Sequence, residues 1–157
     1  MVEIDAEVIE MAKRYLPNHS AGAFDDPRLE LVISDGMDFV CHAGAEQFDV
    51  IISDSTDPIG PGEGLFSGDF YGQCKRILKP GGVMATQNGV PFFQLDELQH
   101  TRERMGRHFA DQAFYSAAVP TYYGGIMAFG WGSDDPSLRR HGVDELRARY
   151  RAAAIET

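Results

Sequence analysis

Two cysteines, five histidines and a shortage of positive charge set the first limits on this 157-residue chain. Cys41 and Cys74 are too few for a disulfide framework and suit a reducing compartment; both thiols are expected in helices as small buried hydrophobes. His19, His42, His100, His108 and His141 fall at no metal-ligand spacing, so no metal site is expected. Lysine and arginine number 14 against 24 acidic residues, a formal charge of -10. That balance argues against a nucleic-acid partner, whose phosphates need a basic surface, and suits cationic ligands. No apolar run approaches a membrane span and no signal-peptide pattern opens the chain, so a cytoplasmic protein without membrane contact is expected. Internal repeats and low-complexity tracts are absent as well. The length fits one domain, 1–157, with a modest core.

What is present centres on residues 53–62, Ser-Asp-Ser-Thr-Asp-Pro-Ile-Gly-Pro-Gly. They follow Phe48-Asp49-Val50-Ile51-Ile52, a nearly continuous apolar run that reads as a strand buried on both faces. Such a strand ends at the carboxyl edge of a parallel sheet, where open α/β folds bind ligands. Asp54 and Asp57 therefore stand where the chain leaves the sheet, on a segment that Pro58, Gly60, Pro61, Gly62 and Gly64 shape into a loop. Paired carboxylates there suit a cation; the same spacing also serves Asx-turns and helix caps.

The remaining elements alternate. Glu3 and Asp5 precede a helix with Val8, Ile9, Ala12, Tyr15 and Leu16 on one face, capped by Asp5 and stopped by Pro17. A polar loop spans 18–28. Strands are expected at 29–33, 48–53 and 83–87, with a short helix from Met37 and another after Ser67. Lys79-Pro80-Gly81-Gly82 reads as a break, and Pro91 as the start of a helix running to about Arg107. Residues 112–119 and 125–132 read as an antiparallel strand pair across a short turn. An arginine-rich helix is expected over 136–155, its charges solvated. Alternation of this kind implies a doubly wound α/β sheet. Glu3 and Asp35, each at a strand end, form an arrangement able to hold a nucleoside, since one carboxylate accepts from ribose hydroxyls and the other from an adenine amino group. Each acid taken singly is also an ordinary cap.

Together, Val2-Glu3-Ile4-Asp5, Tyr15-Leu16-Pro17-Asn18, Asp25-Asp26-Pro27-Arg28, Asp35-Gly36, the 54–66 loop, Gln87-Asn88-Gly89 and residues 120–127 resemble the polyamine aminopropyltransferases. The similarity is nearest to bacterial spermidine synthase and runs from Met1 to about Asp135. The resemblance implies a Rossmann-like sheet of the class I methyltransferase type, truncated and ending in an antiparallel strand pair. It implies transfer of an aminopropyl group from decarboxylated S-adenosylmethionine to putrescine, giving spermidine and methylthioadenosine. The nucleoside is then a co-substrate, and no cofactor is expected. Glu3 corresponds to the ribose contact, Asp35 with Gly36 to the adenine contact, and Pro61 with Leu65 to an apolar wall. Asp54 corresponds to the acceptor of the attacking amine, Asp57 to the acid holding the diamine, Tyr122 to a positioning tyrosine and Gln87 to a pocket residue.

The family also carries a β-rich domain and a glycine-rich strand-turn-helix ahead of the position of Glu3, and continues beyond the position of Thr157. The chain is accordingly expected to be part of a longer enzyme, lacking the strand between those ending at Glu3 and at Asp54. Intact family members imply a dimer or tetramer. Two other readings stay open: a methyltransferase-like enzyme of the same fold, and a noncatalytic remnant that binds a nucleoside or a partner chain.

Overall fold

The computed structural model describes residues 1–153. Strand β1 (Val2–Glu3) pairs in parallel with β2 (Val32–Ile33), with Val2 opposite Val32 and Glu3 opposite Ile33. Between them lie helix α1 (Ala6–Tyr15) and the single turn α2 (Pro17–Ser20). Asp5 caps α1 as its position implies, its carboxylate accepting the Glu7 N–H at 2.8 Å. Pro17, expected only to stop that helix, starts α2, since a first helical turn needs no proline N–H.

The second sheet is larger. Strands β3 (Phe48–Ser53), β4 (Leu78–Gln87), β5 (Asp111–Ala118) and β6 (Ile126–Ser133) lie in the order β3-β4-β6-β5. β3 and β4 are parallel; β6 runs antiparallel to both β4 and β5. The antiparallel pair closes the sheet where the sequence places it. β4 begins five residues earlier than the hydrophobic run from Val83 implies. A register shift against β3 between Phe48 and Val50 absorbs residues 79–82, so a segment with turn chemistry is carried as an irregularity within a strand.

Helices α3 (Gly36–His42), α4 (Gly68–Ile77) and α5 (Leu95–Met105) pack side by side, with α4 in the middle. Phe70, Tyr71, Cys74 and Ile77 fall on one face of α4 and meet Val40, Leu78, Met84, Met105 and Phe109 in one core. Ser67 caps α4 by accepting the Phe70 N–H at 3.1 Å. Arg76, near its other end, donates to the carbonyls of Val40 (2.7 Å) and Ala43 (2.9 Å), satisfying the last turn of α3. Both cysteines lie in helices, but Cys41 is exposed. Its neighbour Val40 takes the inward position on a helix of only two turns. The expected helix over 136–155 forms as α6 (Val143–Ala152), and the end of that range lies outside the described residues.

β1 and β3 do not pair, so the two sheets stand apart. A cavity of about 320 Å³ separates them, lined from one side by Met1 and Val2 and from the other by residues 50–55. β3 is consequently not buried on both faces: Val50 is 55% exposed and Ile52 73%. The residue pattern of a fully covered strand is present, but among the described residues nothing covers the face that carries Val50 and Ile52.

Candidate active site at the carboxyl edge of the sheet

All the residues singled out in the sequence except Asp57 line two adjoining cavities that share Asp54 and Ser55. The first, about 400 Å³, is bounded by the ends of β1 and β2 and by the loop after β3. Glu3, Asp35, Gly36, Pro61 and Leu65 all line it. The second, about 390 Å³, lies over the ends of β3 and β4 and beneath the β5–β6 turn; Gln87 and Tyr122 line it.

Local structure fixes each group. Glu3 accepts the Asp5 N–H on Oε1 at 2.9 Å, which holds its carboxylate at the strand end. Asp35 is the N-cap of α3, with Oδ1 accepting from Met37 N–H at 2.7 Å. The capping role open for this acid is therefore real, and it leaves Oδ2 without a partner among the described residues. At Gly36 a side chain would meet Leu65 Cδ2 at 3.0 Å, so the absent Cβ lets the loop close over α3.

Residues 55–59 form an irregular stretch, with the Ile59 N–H donating to the Asp57 carbonyl at 2.7 Å, and lead into a 3₁₀ helix, Gly60–Phe66, ending at buried Phe66. Arg104 of α5 donates to the Phe66 carbonyl at 2.8 Å and pins the loop to the helix layer. The loop folds on itself at Gly62, where an added Cβ would lie 2.6 Å from Thr56 Oγ1 and 3.0 Å from the Asp57 carbonyl.

The side chains of Asp54 and Asp57 are exposed, and neither carboxylate makes a hydrogen bond or ion pair among the described residues. The helix-cap and Asx-turn alternatives for these two acids are thus not realised. Both remain available to an incoming donor or cation. Asp54 stands at the junction of the two cavities; Asp57 lines neither.

Gln87 is buried at the end of β4, where its amide N–H donates to the Ser55 carbonyl (3.3 Å) and its oxygen accepts from Gly89 N–H (3.2 Å). It ties the acidic loop to the neighbouring strand. Tyr122 sits on a turn closed by Tyr122 N–H to Val119 O (3.0 Å) and Gly125 N–H to Tyr122 O (2.9 Å). It is 52% exposed, not a buried core tyrosine, and lines the second cavity.

Glu97 is the acid that pattern reading passed over. It lies in the first turn of α5, where an acid is ordinary dipole complement. Burial foremost, and then the Asp57 charge, push its carboxyl up to about 7, with Asn88 easing it in part. No group of three His, Cys, Asp or Glu side chains among the described residues is placed to hold a metal ion. No helix of the described residues is long and apolar enough to cross a membrane.

Known proteins resemble this chain over its whole length. The Spermine/spermidine synthase domain matches residues 1–141. Polyamine aminopropyltransferase 1 of Pseudomonas aeruginosa is 60% identical over 157 residues, which is 100% of this chain and 54% of that protein. The polyamine aminopropyltransferase of Pseudomonas syringae pv. tomato is 59% identical with the same coverage. This chain thus spans about half the length of these relatives. Among solved structures, spermidine synthase from Thermotoga maritima superposes with a TM-score of 0.81 at 30% identity, covering 99% of this chain and 50% of that one. A spermidine synthase in complex with the transition-state analogue AdoDATO gives 0.80 at 33% identity, covering 99% and 57%. The likeness establishes a Rossmann-like, methyltransferase-type fold, and with the domain match over residues 1–141 the chain belongs to the spermine/spermidine synthase family.

Proposed function

We propose that the protein of which this chain is the catalytic portion transfers an aminopropyl group from decarboxylated S-adenosylmethionine to putrescine, yielding spermidine and methylthioadenosine. One observation carries the reading: Asp54 stands where a cavity lined by Glu3 and Asp35 meets a cavity lined by Gln87 and Tyr122.

In this reading the first cavity takes the nucleoside. Glu3 accepts from the ribose hydroxyls, Asp35 through its free Oδ2 accepts from the adenine amino group beside Gly36, and Pro61 with Leu65 packs the base. The second cavity takes the reacting end of the diamine. Alkyl ammonium groups titrate near about 10, so that end must lose a proton before its nitrogen displaces the sulfonium sulfur at the adjoining carbon. Asp54 accepts that proton at the junction and directs the lone pair toward the carbon, with Tyr122 fixing the amine. The new C–N bond forms as the C–S bond breaks, and the sulfur keeps the electron pair. Asp57 lies outside the walls of both cavities and holds the distal ammonium as it leaves the second one. At about 4 Å a carboxylate–ammonium contact is worth roughly 4 kcal/mol before desolvation at an effective dielectric near 20, enough to prefer a cation to a neutral group.

The test is formation of spermidine and methylthioadenosine by this chain and by one extended to the length of its relatives. Asp54→Asn is expected to reduce turnover by at least about 100-fold while methylthioadenosine still binds. Undiminished turnover in Asp54→Asn would remove this residue from the mechanism. A second reading, nucleoside binding without turnover, is favoured by the open cleft between β1 and β3 beside the nucleoside cavity. Methylthioadenosine binding with no product from either chain would select it.

A further inference from the structure

The proposed reaction leaves the environment of Glu97 without a use. Its Oε1 is buried and lies beyond hydrogen-bond distance of any donor; the Asn88 amide, which eases its charge, donates to Thr101 Oγ1 at 2.8 Å instead. Its Oε2 accepts only from Gln94 Nε2, at 3.3 Å. Gln94 Oε1 in turn accepts the Val90 N–H at 2.7 Å. Gln87, bonded to Gly89 N–H and to the Ser55 carbonyl, continues the line. These contacts reach from Ser55, beside Asp54, to Gly89 and from Val90 to Glu97, and the Gly89–Val90 peptide bond joins the two sets at the end of β4.

Three neighbouring segments present a group to Glu97. The acidic loop contributes the Asp57 charge, the end of β4 contributes Asn88, and α4 contributes Tyr71, whose phenol feels the Glu97 charge. Arg104, on α5 itself, is engaged with the Phe66 carbonyl. No lysine or arginine of the described residues pairs with Glu97. A partly buried carboxylate kept beside a second carboxylate and given no cation is costly to the fold unless a cation arrives from outside.

We propose that Glu97 is a positioning residue of the amine subsite, facing the same ammonium as Asp57 and supplying the second carboxylate that favours a diamine over a monoamine. This rests on the reading that Asp57 holds the amine. With the site empty, Glu97 is substantially protonated near neutral pH; an arriving ammonium makes the ionised form the stable one. The carboxylic acid then gives its proton to solvent and the carboxylate stays with the ammonium, so charge and protons balance. Binding of the dication is thereby linked to proton release.

The test follows side-chain carboxyl resonances by carbon NMR across pH in this chain, alongside calorimetry of putrescine and 1-aminobutane at pH 7 in buffers of different ionisation heat. Wild type, Glu97→Gln, Glu97→Asp and Asp57→Asn are compared. The Glu97 midpoint is expected near 7 in wild type and lower in Asp57→Asn. Putrescine is expected to release protons from wild type and from Glu97→Asp, but not from Glu97→Gln. Glu97→Gln is expected to weaken putrescine by about tenfold and to leave 1-aminobutane unchanged. A Glu97 midpoint near 4.5 in both wild type and Asp57→Asn overturns the proposal whatever the calorimetry shows. Putrescine binding that Asp57→Asn abolishes and Glu97→Gln leaves intact keeps the amine reading and overturns the role of Glu97. Absence of putrescine binding to wild type overturns the amine reading and, with it, the occupant assigned here, even where the two acids remain coupled.

Discussion

Asn88, fully buried between Gln87 and Gly89, is the most informative single position for the stability of the site. Its Oδ1 accepts from Thr86 Oγ1 at 2.7 Å and from the Gly130 N–H at 3.0 Å. Its Nδ2 donates to Thr101 Oγ1 at 2.8 Å, and Tyr71 OH meets that same hydroxyl at 3.4 Å. One side chain thus joins β4 and β6 to α5, and α5 to α4. Asn88→Ala strands the Gly130 N–H, which has no freedom to turn elsewhere, at a cost of roughly 1–3 kcal/mol. The hydroxyls of Thr86 and Thr101 can rotate, so each loses about 0.5–1.5 kcal/mol. The vacated amide volume adds about 1 kcal/mol. Because these groups share one network the terms are not strictly additive, and an overall loss of about 3–5 kcal/mol is expected.

At this chain length that corresponds to a fall in Tm of about 8–15 °C, measurable by calorimetry and by urea denaturation. Asn88→Asp supplies the control, since it retains both acceptor contacts and loses the amide donor. Buried here as a charge, it should be least stable above neutral pH and recover as the pH falls and the acid is protonated. A loss below about 1 kcal/mol in Asn88→Ala, with unchanged exchange of the Gly130 amide, would refute the assigned network.

Two further outcomes are expected. Asp111 is buried and bound by Arg139 through Nε (2.6 Å) and Nη2 (2.7 Å); the Arg139 hydrogen bond foremost holds its carboxyl below the usual value. A lowered acid stabilises the fold above its unfolded value and loses that contribution as pH falls through the folded one. Arg139→Leu should therefore move the acid-unfolding midpoint to higher pH, and an unmoved midpoint counts against the pair. Burial pushes the Cys74 thiol up to about 12, whereas Cys41 is exposed. Iodoacetamide at pH 8 should modify Cys41 alone in native protein and both thiols after unfolding, as mass spectrometry of the labelled peptides will show.

Much of this arrangement was legible in the residues because local chemistry and tertiary role coincide. The apolar run before Asp54 forms a strand with the acids at its end, and Asp5, Ser67 and Asp35 cap the helices that follow them. Divergence begins where a residue pattern depends on a distant partner. Val50 and Ile52 carry the pattern of a covered strand, but only contact with another element could bury them. The 79–82 segment has turn chemistry, yet the parallel partner β3 draws it into β4. Glu97 gave no signal because an acid in a first helical turn is ordinary; only the tertiary packing of α5 leaves its Oε1 buried and beyond hydrogen-bond distance of a donor.

The division of the sheet has a consequence for how the molecule opens. The half built from β1, α1 and β2 rests on one two-residue pairing and buries Ile9 alone on α1, whose Val8, Met11 and Tyr15 stay at least half exposed. The other half holds four strands and the aromatic interior around Tyr71. Cooperativity should therefore break at the cleft: amides of β1 and β2 exchange through small local openings, while those of β4 and β6 exchange only when the larger unit unfolds. Glu3, assigned to the ribose, sits on the labile unit, Asp35 caps α3 where the two units meet, and Asp54 follows a strand of the durable one. Ligand capture would then draw on conformational entropy in the first half without disturbing the chemistry held by the second.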